Sequence, residues 1–348
     1  MEMITIYTTI NLNTLIKLKK NIFPIFICLF IILLLLFSKS CLVASKNGMI
    51  LWATCIVPSL FPFFVATDLL NQTKVPALFG KVFSKFMKPI FNVPGEGSYA
   101  FIMGIICGYP TGAKIISDFY SKKICTKSES ERMLAFTNNS GPLFILGTVG
   151  ISFFANTEIG ILLLITHLLS AISVGILFGF ISRFLLNNKN TVSNSVSIKQ
   201  TKHITNIGTS LNYSIISSIK TLFIIGGFII LFSVILSIFN KLDLFKIPTY
   251  FGIPFKYSEA FFSGILELTN GLSLTSSIIT KNISINIIIC AFLLGFGGLS
   301  VLLQVYSICS QSNLSIKWYF FGKILQGFIC AIYTLCFIKI FTFLNFDL

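Results

Sequence analysis

The sequence predicts an all-α polytopic membrane protein, and two observations support this: the composition and the lengths of the apolar runs. Of 348 residues, 55% are hydrophobic and only 11% are charged, and 38 are phenylalanine. The mean hydropathy is +0.89. A water-soluble domain of this size cannot bury so much apolar surface, so we expect the chain to lie in a bilayer. We expect about eight to ten membrane segments, including re-entrant hairpins and broken helices, in two related repeats.

Some apolar runs come near the ~20 residues that a spanning helix needs. They cover residues 22–37, 159–181, 215–239, 285–308 and 318–344. Other runs carry Pro, Gly or polar residues inside them, at residues 48–70, 99–120, 133–154 and 259–279. We interpret this second group as kinked or re-entrant helices, since a bilayer tolerates broken backbone only where protein or a watery cavity covers it.

The run at residues 22–37 follows several lysines, at residues 17–20. A cleaved signal peptide and a first transmembrane helix share this charged start and apolar core. We interpret the run as an uncleaved span because the rest of the chain is polytopic, and the signal peptide stays an alternative.

The formal net charge is +15, from 26 Lys and Arg against 11 Asp and Glu. The basic residues lie mostly in the connections, which favours contact with anionic lipid over binding of nucleic acid. Residues 17–20 and 183–203 are expected on the cytoplasmic side. The predicted organisation is an N-terminal tail with the first transmembrane helix (1–47), a first repeat (48–182), a polar basic linker (183–206) and a second repeat (207–348).

A basic amphipathic helix is predicted between the first two interrupted runs. Lys74, Lys81, Lys85 and Lys88 alternate with apolar residues at helical spacing. Such a helix can lie in the plane of the headgroups, and the alternative is an ordinary connecting helix with a solvated face.

The sequence carries no sign of an enzyme. The nine cysteines are scattered singly without a Cys-x-x-Cys pair, so a reduced packing role is expected. The histidines are His167 and His203, which makes a histidine-based metal site unexpected. No phosphate-binding loop or nucleophile elbow is present, and we expect neither a cofactor nor covalent chemistry.

The two halves of the chain share a spaced pattern, which predicts a duplication. Pro94, Ala100-Phe101 and Gly104 are matched at a constant offset by Pro254, Ala260-Phe261 and Gly264. Short matches also arise by chance in an apolar sequence. The spans between the halves permit inverted repeats.

The break at Asn138-Asn139-Ser140-Gly141-Pro142 is the strongest candidate site in the sequence. Pro142 suits the first turn of a helix, and the free N–H groups of that turn would point back at the break. The partial positive charge at a helix N-terminus can receive an anion. A second such break begins at Gly108, where Pro110 can open a helix that presents Lys114 as a full positive charge.

The second half offers matching polar breaks. The candidate substrate-binding residues there are Asn270, Gly297, Gly298 and Ser300. Close helix packing is the alternative explanation for these small and polar residues.

Glu267 is the clearest acid at membrane depth, and such a residue needs a function or a partner. Proton coupling or gating, a counter-ion for Lys114 and contact with a substrate-bound cation all remain open. Asp68, Glu96 and Glu259 are expected nearer the membrane interface.

Four motifs make the chain resemble a known family. They are Leu60-Phe61-Pro62-Phe63-Phe64, Phe91-Asn92-Val93-Pro94-Gly95, Gly108-Tyr109-Pro110-Thr111-Gly112-Ala113-Lys114 and the segment from Ala135 to Ile145. Together they resemble the YlbJ-type sporulation integral membrane proteins, also called stage V sporulation protein V, over residues 48–182 and, more weakly, to about residue 340. The resemblance implies a nucleoside-recognition or Gate-type domain and kinship with concentrative nucleoside transporters.

The resemblance also implies a function. It implies movement of dipicolinic acid across the outer forespore membrane during endospore formation, with a possible transport partner on the forespore side. Tyr109 would add a stacking face for this flat dianion. A membrane scaffold that carries nothing, and a carrier of nucleosides or another small metabolite, are the alternatives.

Overall fold

The described part of the protein is helical throughout. The computed structural model describes residue 22, residues 24–185 and residues 206–343, and these residues form no strand. The fold class is confirmed as an all-α polytopic membrane protein. The basic segment 17–20, His203 and most of the predicted linker lie outside the described residues.

Fourteen α-helices follow one another in the described ranges. They are α1 (Pro24–Leu36), α2 (Ser38–Leu51), α3 (Val57–Asn71), α4 (Val75–Phe86), α5 (Gly97–Cys107), α6 (Thr111–Ser121), α7 (Lys127–Thr137), α8 (Thr157–Leu185), α9 (Ile207–Lys241), α10 (Phe255–Leu266), α11 (Leu268–Ser276), α12 (Ser284–Phe296), α13 (Gly298–Ser310) and α14 (Lys317–Phe343). Short π-helical turns at Trp52–Ile56 and Met87–Phe91 join or extend helices, Leu143–Phe153 is a π-helix, and Leu244–Phe251 is a 3-10 helix.

Four helical stretches of the described chain are long and apolar enough to cross a membrane. They are Thr157–Phe184, Ile207–Lys241, Ser284–Ser310 and Lys317–Ile340, and the third contains the break between α12 and α13. Shorter apolar helices are present at Leu60–Asn71, Gly97–Cys107 and Leu143–Phe153.

The first apolar run differs from the straight span that we expected. Helix α1 is bent by 97° against the helix that follows it. At 1.5 Å per residue it is only about 20 Å long, which is less than the hydrocarbon core of a bilayer. Phe30 and Leu33 pack against Cys41 and Ile238, so α1 lies against the end of α9.

Two of the interrupted runs are helical hairpins, as the sequence predicts. Helices α5 and α6 approach so closely that a Cβ on Gly104 would lie 3.3 Å from the Cα of Gly112. A Cβ on Gly271 of α11 would lie 2.0 Å from the Cα of Gly264 on α10. Glycine is required at such a crossing because any side chain would meet backbone. Gly104 and Gly264 are the residues matched between the halves of the sequence.

The hairpin α5–α6 enters the membrane on the side where α8 ends. The guanidinium of Arg183, in α8, donates to the carbonyl oxygen of Lys88 at 3.0 Å and to that of Pro89. Gln72, after α3, donates to Ser214 near the start of α9 at 2.9 Å. The end of α8, the start of α9 and the amphipathic helix α4 therefore share one side, and the prediction that this side is cytoplasmic stays a prediction.

The hairpin α10–α11 enters from the other side. It follows the far end of α9, and Ser258 at its base donates to the carbonyl oxygen of Phe245 in the 3-10 helix at 2.6 Å. The two hairpins thus point toward each other from opposite sides, which is the arrangement of an inverted repeat.

The two halves pack against each other in two hydrophobic cores, each with residues from both halves. Residues of α5, α6 and α7 pack with Leu302, Val305 and Cys309 of α13. In the second core, Leu268 and Leu272 of α11 pack with Ile145 and Val149 of the π-helix. Each hairpin therefore packs on the broken helix of the other half, and the four breaks are brought to one place.

Candidate functional site at the meeting point of the helix breaks

Four interruptions of the backbone meet inside the protein. A Cβ on Gly108, at the tip of α5–α6, would lie 2.9 Å from the backbone nitrogen of Gly141. A Cβ on Gly298, between α12 and α13, would lie 3.2 Å from the nitrogen of Leu268 at the tip of α10–α11. Gly108, Gly297 and Gly298 have φ values of +77°, +85° and +82°, respectively. Positive φ at these glycines lets the chain turn sharply without a Cβ penalty.

Asn138 and Asn139 are fully buried at 0% exposure, so protein covers the broken backbone. The side chain of Asn138 donates to the hydroxyl of Tyr319 at 3.1 Å. Its Oδ1 accepts from the backbone N–H of Ala113, in the first turn of α6, at 3.4 Å. Asn138 therefore joins the first hairpin to α14, across the two halves.

Asn139 contacts a buried lysine. Its Oδ1 accepts from the ammonium of Lys323 at 3.3 Å and from the amide of Gln326 at 3.0 Å. The Lys323 ammonium also donates to Gln326 Oε1 at 2.7 Å. It lies 5.3 Å from the ring centre of Tyr109 and 5.8 Å from that of Tyr319. We call Asn138, Asn139, Tyr109, Tyr319, Lys323 and Gln326 the polar core.

Ser140 connects the polar core to α8. Its backbone N–H donates to His167 Nε2 at 3.2 Å, and both residues are buried. Since Nε2 accepts this bond, a neutral His167 carries its proton on Nδ1, which has no hydrogen-bond partner among the described residues. The Nδ1–H group of His167 is thus a buried, unsatisfied donor beside the break.

Lys323 and Gln326 were missed by the sequence reasoning. They lie in α14, within the apolar run 318–344 that we interpreted only as a span. The signal was present, because a lysine in the middle of a membrane helix is costly and marks a functional residue by default.

The ammonium of Lys114, which the sequence analysis assigned to an anionic substrate, forms an ion pair within the protein. Its ammonium pairs with Asp68 Oδ2 of α3 at 2.8 Å, so Asp68 and not Glu267 is its counter-ion. Asp68 is only 5% exposed and is buried against α6, and its position near the membrane interface stays a prediction. A substrate contact of Lys114 stays a prediction.

Glu267 has a local partner in the structure. Its carboxylate accepts from the backbone N–H of Thr269 at 3.1 Å and of Asn270 at 2.8 Å, and from the Asn270 side chain at 2.9 Å. It therefore caps α11 and occupies the N-terminus of that helix. Coupling or gating by Glu267 stays a prediction.

The remaining predicted residues of the second half lie around the break after α12. Gly297 and Gly298 form the turn, and Ser300 is buried and accepts from Gln304 at 3.4 Å. Asn270 lines a cavity of about 770 Å³ between α2, α9 and the hairpin α10–α11. Lys39, Lys241 and Glu259 also line this cavity.

The geometry defines a class of site. A cation, several amide groups and two tyrosine rings meet where hairpin tips approach broken helices, which is the architecture of secondary transporters with inverted repeats. Among the described residues, no group of three or more His, Cys, Asp or Glu could hold a metal ion.

Comparisons with known proteins agree with this class. A family model described as nucleoside recognition, named Gate, matches residues 53–184. The solved structure of CNTnw in an inward-facing substrate-bound state superimposes with a TM-score of 0.51 at 14% identity, over 92% of this chain and 86% of that one. This likeness shows a nucleoside-transporter-like fold.

The sequence comparison identifies the family. The sporulation integral membrane protein YlbJ of Bacillus subtilis (strain 168) is 36% identical over 318 residues, which are 84% of this chain and 76% of the relative. The chain belongs to the YlbJ family of sporulation integral membrane proteins, as its motifs predict.

Proposed function

We propose that this protein is a transporter that carries dipicolinate across the outer forespore membrane during endospore formation. The observation that carries the proposal is the polar core, where the ammonium of a fully buried lysine lies near two tyrosine rings at the meeting point of four helix breaks. The family supplies the sporulation context and the fold is transporter-like.

The chemistry of the polar core supports an anionic aromatic substrate. Dipicolinate is a small flat molecule with two carboxylates. An ammonium and amide N–H groups are suitable donors for carboxylates, and tyrosine rings offer faces for an aromatic ring. The partial positive charges at nearby helix N-termini add to the attraction.

The closed polar core and the open cavity support alternating access. Asn138 and Asn139 are fully buried, whereas Asn270 lies on a cavity between α2, α9 and the hairpin α10–α11. The tip of that hairpin at Leu268 contacts the break at Gly298, next to the polar core. Movement of the hairpin tip would connect the cavity to the polar core.

A carrier of nucleosides is the second candidate. It is supported by the description of the Gate family and by the likeness to CNTnw. The buried Lys323 argues against it, because an uncharged nucleoside would leave the ammonium without a counter-charge. A scaffold that carries nothing has less support, since it does not require a lysine in the polar core.

The test is saturable uptake of dipicolinate by purified protein in liposomes, with and without a proton gradient. The variant Asn138→Leu/Asn139→Leu should abolish uptake while still inserting into the membrane. Asn282→Leu, an exposed asparagine in the connection before α12, is the control and should transport normally.

Uptake of uridine that dipicolinate does not inhibit would favour the nucleoside carrier. Unchanged dipicolinate content in spores that carry the double variant would contradict both the site and transport through it.

A further inference from the structure

Lys323 is a buried ammonium, and no described residue places a carboxylate beside it. Its residue is 0% exposed, and its described hydrogen bonds go to the amide oxygens of Asn139 and Gln326. The ion pairs Lys114–Asp68 and Lys246–Asp243 lie elsewhere, and neither involves Lys323.

The nearby ionisable groups do not balance this charge. The carboxylate of Glu267 is held by the N-terminus of α11. His167 accepts a hydrogen bond through Nε2, so it acts as a neutral ring. Amide oxygens solvate an ammonium but do not neutralise it, and an uncompensated charge inside a membrane protein is costly.

We propose that Lys323 binds a carboxylate of the substrate directly, and that Tyr109 and Tyr319 hold the planar ring to which this carboxylate is attached. The inference rests on the proposed function and deepens it: the substrate class is a small planar ring acid, and Lys323 is the residue that selects its charge.

The contacts of the polar core suit this role. An ammonium has three N–H donors, and the two amide oxygens, at 2.7 Å and 3.3 Å, engage two of them. The third is available for a carboxylate oxygen. Both tyrosine rings lie within 6 Å of the ammonium, at 5.3 Å and 5.8 Å, so a ring acid bound to Lys323 would lie beside them.

Both halves of the protein contribute to this site. Tyr109 comes from the tip of the first hairpin, whereas Lys323, Gln326 and Tyr319 come from α14. The substrate would therefore contact elements of both repeats when it binds. Such contacts can favour one conformation of the carrier over another.

The experiment compares the binding of dipicolinate and of its uncharged diamide to purified protein by calorimetry. The wild type should prefer dipicolinate, and Lys323→Gln should lower dipicolinate affinity by at least about tenfold and remove the preference. Lys317→Gln removes the same charge from an exposed position on the same helix and should change neither value.

A second measurement uses the wild-type protein and so does not depend on the folding of a variant. Solid-state NMR with ¹⁵Nζ-labelled lysine and ¹³C-carboxylate dipicolinate should detect a contact shorter than about 4 Å. The contact should persist in Lys114→Gln, which removes the other candidate lysine.

Several results would overturn the inference. These are equal wild-type binding of diamide and dipicolinate, a folded Lys323→Gln that keeps the preference, and bound dipicolinate without a lysine contact. Lys323-dependent binding of another ring acid, such as benzoate, without dipicolinate binding would keep this inference and refute the proposed substrate.

Discussion

The hydroxyl of Tyr109 lies 2.9 Å from the position that a Cβ on Gly297 would occupy. The same hydroxyl donates to the carbonyl oxygen of Leu294, in α12, at 3.3 Å. The tip of the first hairpin is thereby fixed against the broken helix of the second half. This contact joins the two repeats at the polar core.

Gly297→Ala should destabilise the protein through this contact. The new methyl group would crowd the Tyr109 hydroxyl, and a residue with a Cβ at φ +85° costs about 1–2 kcal/mol. The expected result is a lower melting temperature of the purified protein.

The control is Gly227→Ala in α9, where a Cβ would meet nothing within 4 Å. That change should be neutral or stabilising, since alanine favours a helix over glycine. Adding Tyr109→Phe to Gly297→Ala should restore part of the loss, because the crowded hydroxyl is gone. Equal melting temperatures for Gly297→Ala and Gly227→Ala would refute the contact.

Lys114→Ala should destabilise the protein because it leaves the carboxylate of Asp68 without its partner. The side chain of Asp68 is 6% exposed and that of Lys114 is 18% exposed. Breaking a buried pair by removing one partner can cost about 3–5 kcal/mol, and the partial exposure of Lys114 reduces this. The double variant Lys114→Ala/Asp68→Ala should recover stability relative to the single variant.

The matched comparison is the exposed ion pair Lys246–Asp243. Lys246 and Asp243 have side chains that are 54% and 62% exposed, so Lys246→Ala should change stability by about 0–1 kcal/mol. Thermal unfolding of the purified variants measures both. If Lys114→Ala weakens substrate binding while the melting temperature stays unchanged, then the lysine belongs to the substrate site.

Glu267→Ala should loosen the start of α11. The change removes the acceptor for the backbone N–H groups of Thr269 and Asn270, and loss of such a cap costs about 0.5–2 kcal/mol. Hydrogen exchange should become faster at residues 268–276. Glu158→Ala, an exposed acid in the first turn of α8, is the control and should leave α11 unaffected.

Unchanged exchange at residues 268–276 in Glu267→Ala would show that the carboxylate does not stabilise this helix. Glu267→Gln keeps one oxygen acceptor and loses the charge. Dependence of uptake on a proton gradient that survives in Glu267→Gln would exclude a coupling role.

The local features of the fold were predicted from the sequence because they depend on neighbouring residues. Pro, Gly and polar residues inside the runs 99–120 and 259–279 indicated re-entrant helices, and the break from Asn138 to Pro142 indicated a broken helix. Glycine, proline and adjacent amides interrupt a membrane helix wherever they occur, so their positions can be found without knowing what packs against them.

The polar partners were less predictable. Lys114, Glu267 and Lys323 are all ionisable residues at interrupted or apolar segments, and nothing in their spacing identifies their partners. In the structure Lys114 pairs with Asp68, and Glu267 caps the start of α11. Lys323 donates to Asn139, which is 184 residues away in the sequence.

The sequence by itself determined the membrane environment, the helical class, the positions of the breaks and the family. Only the tertiary structure decided that α1 bends away from α2, that the breaks meet, and that Lys323 is the cation at their meeting point. The physical reason is that a helix break is a property of a few consecutive residues, whereas the surroundings of a buried charge depend on the packing of helices distant in sequence.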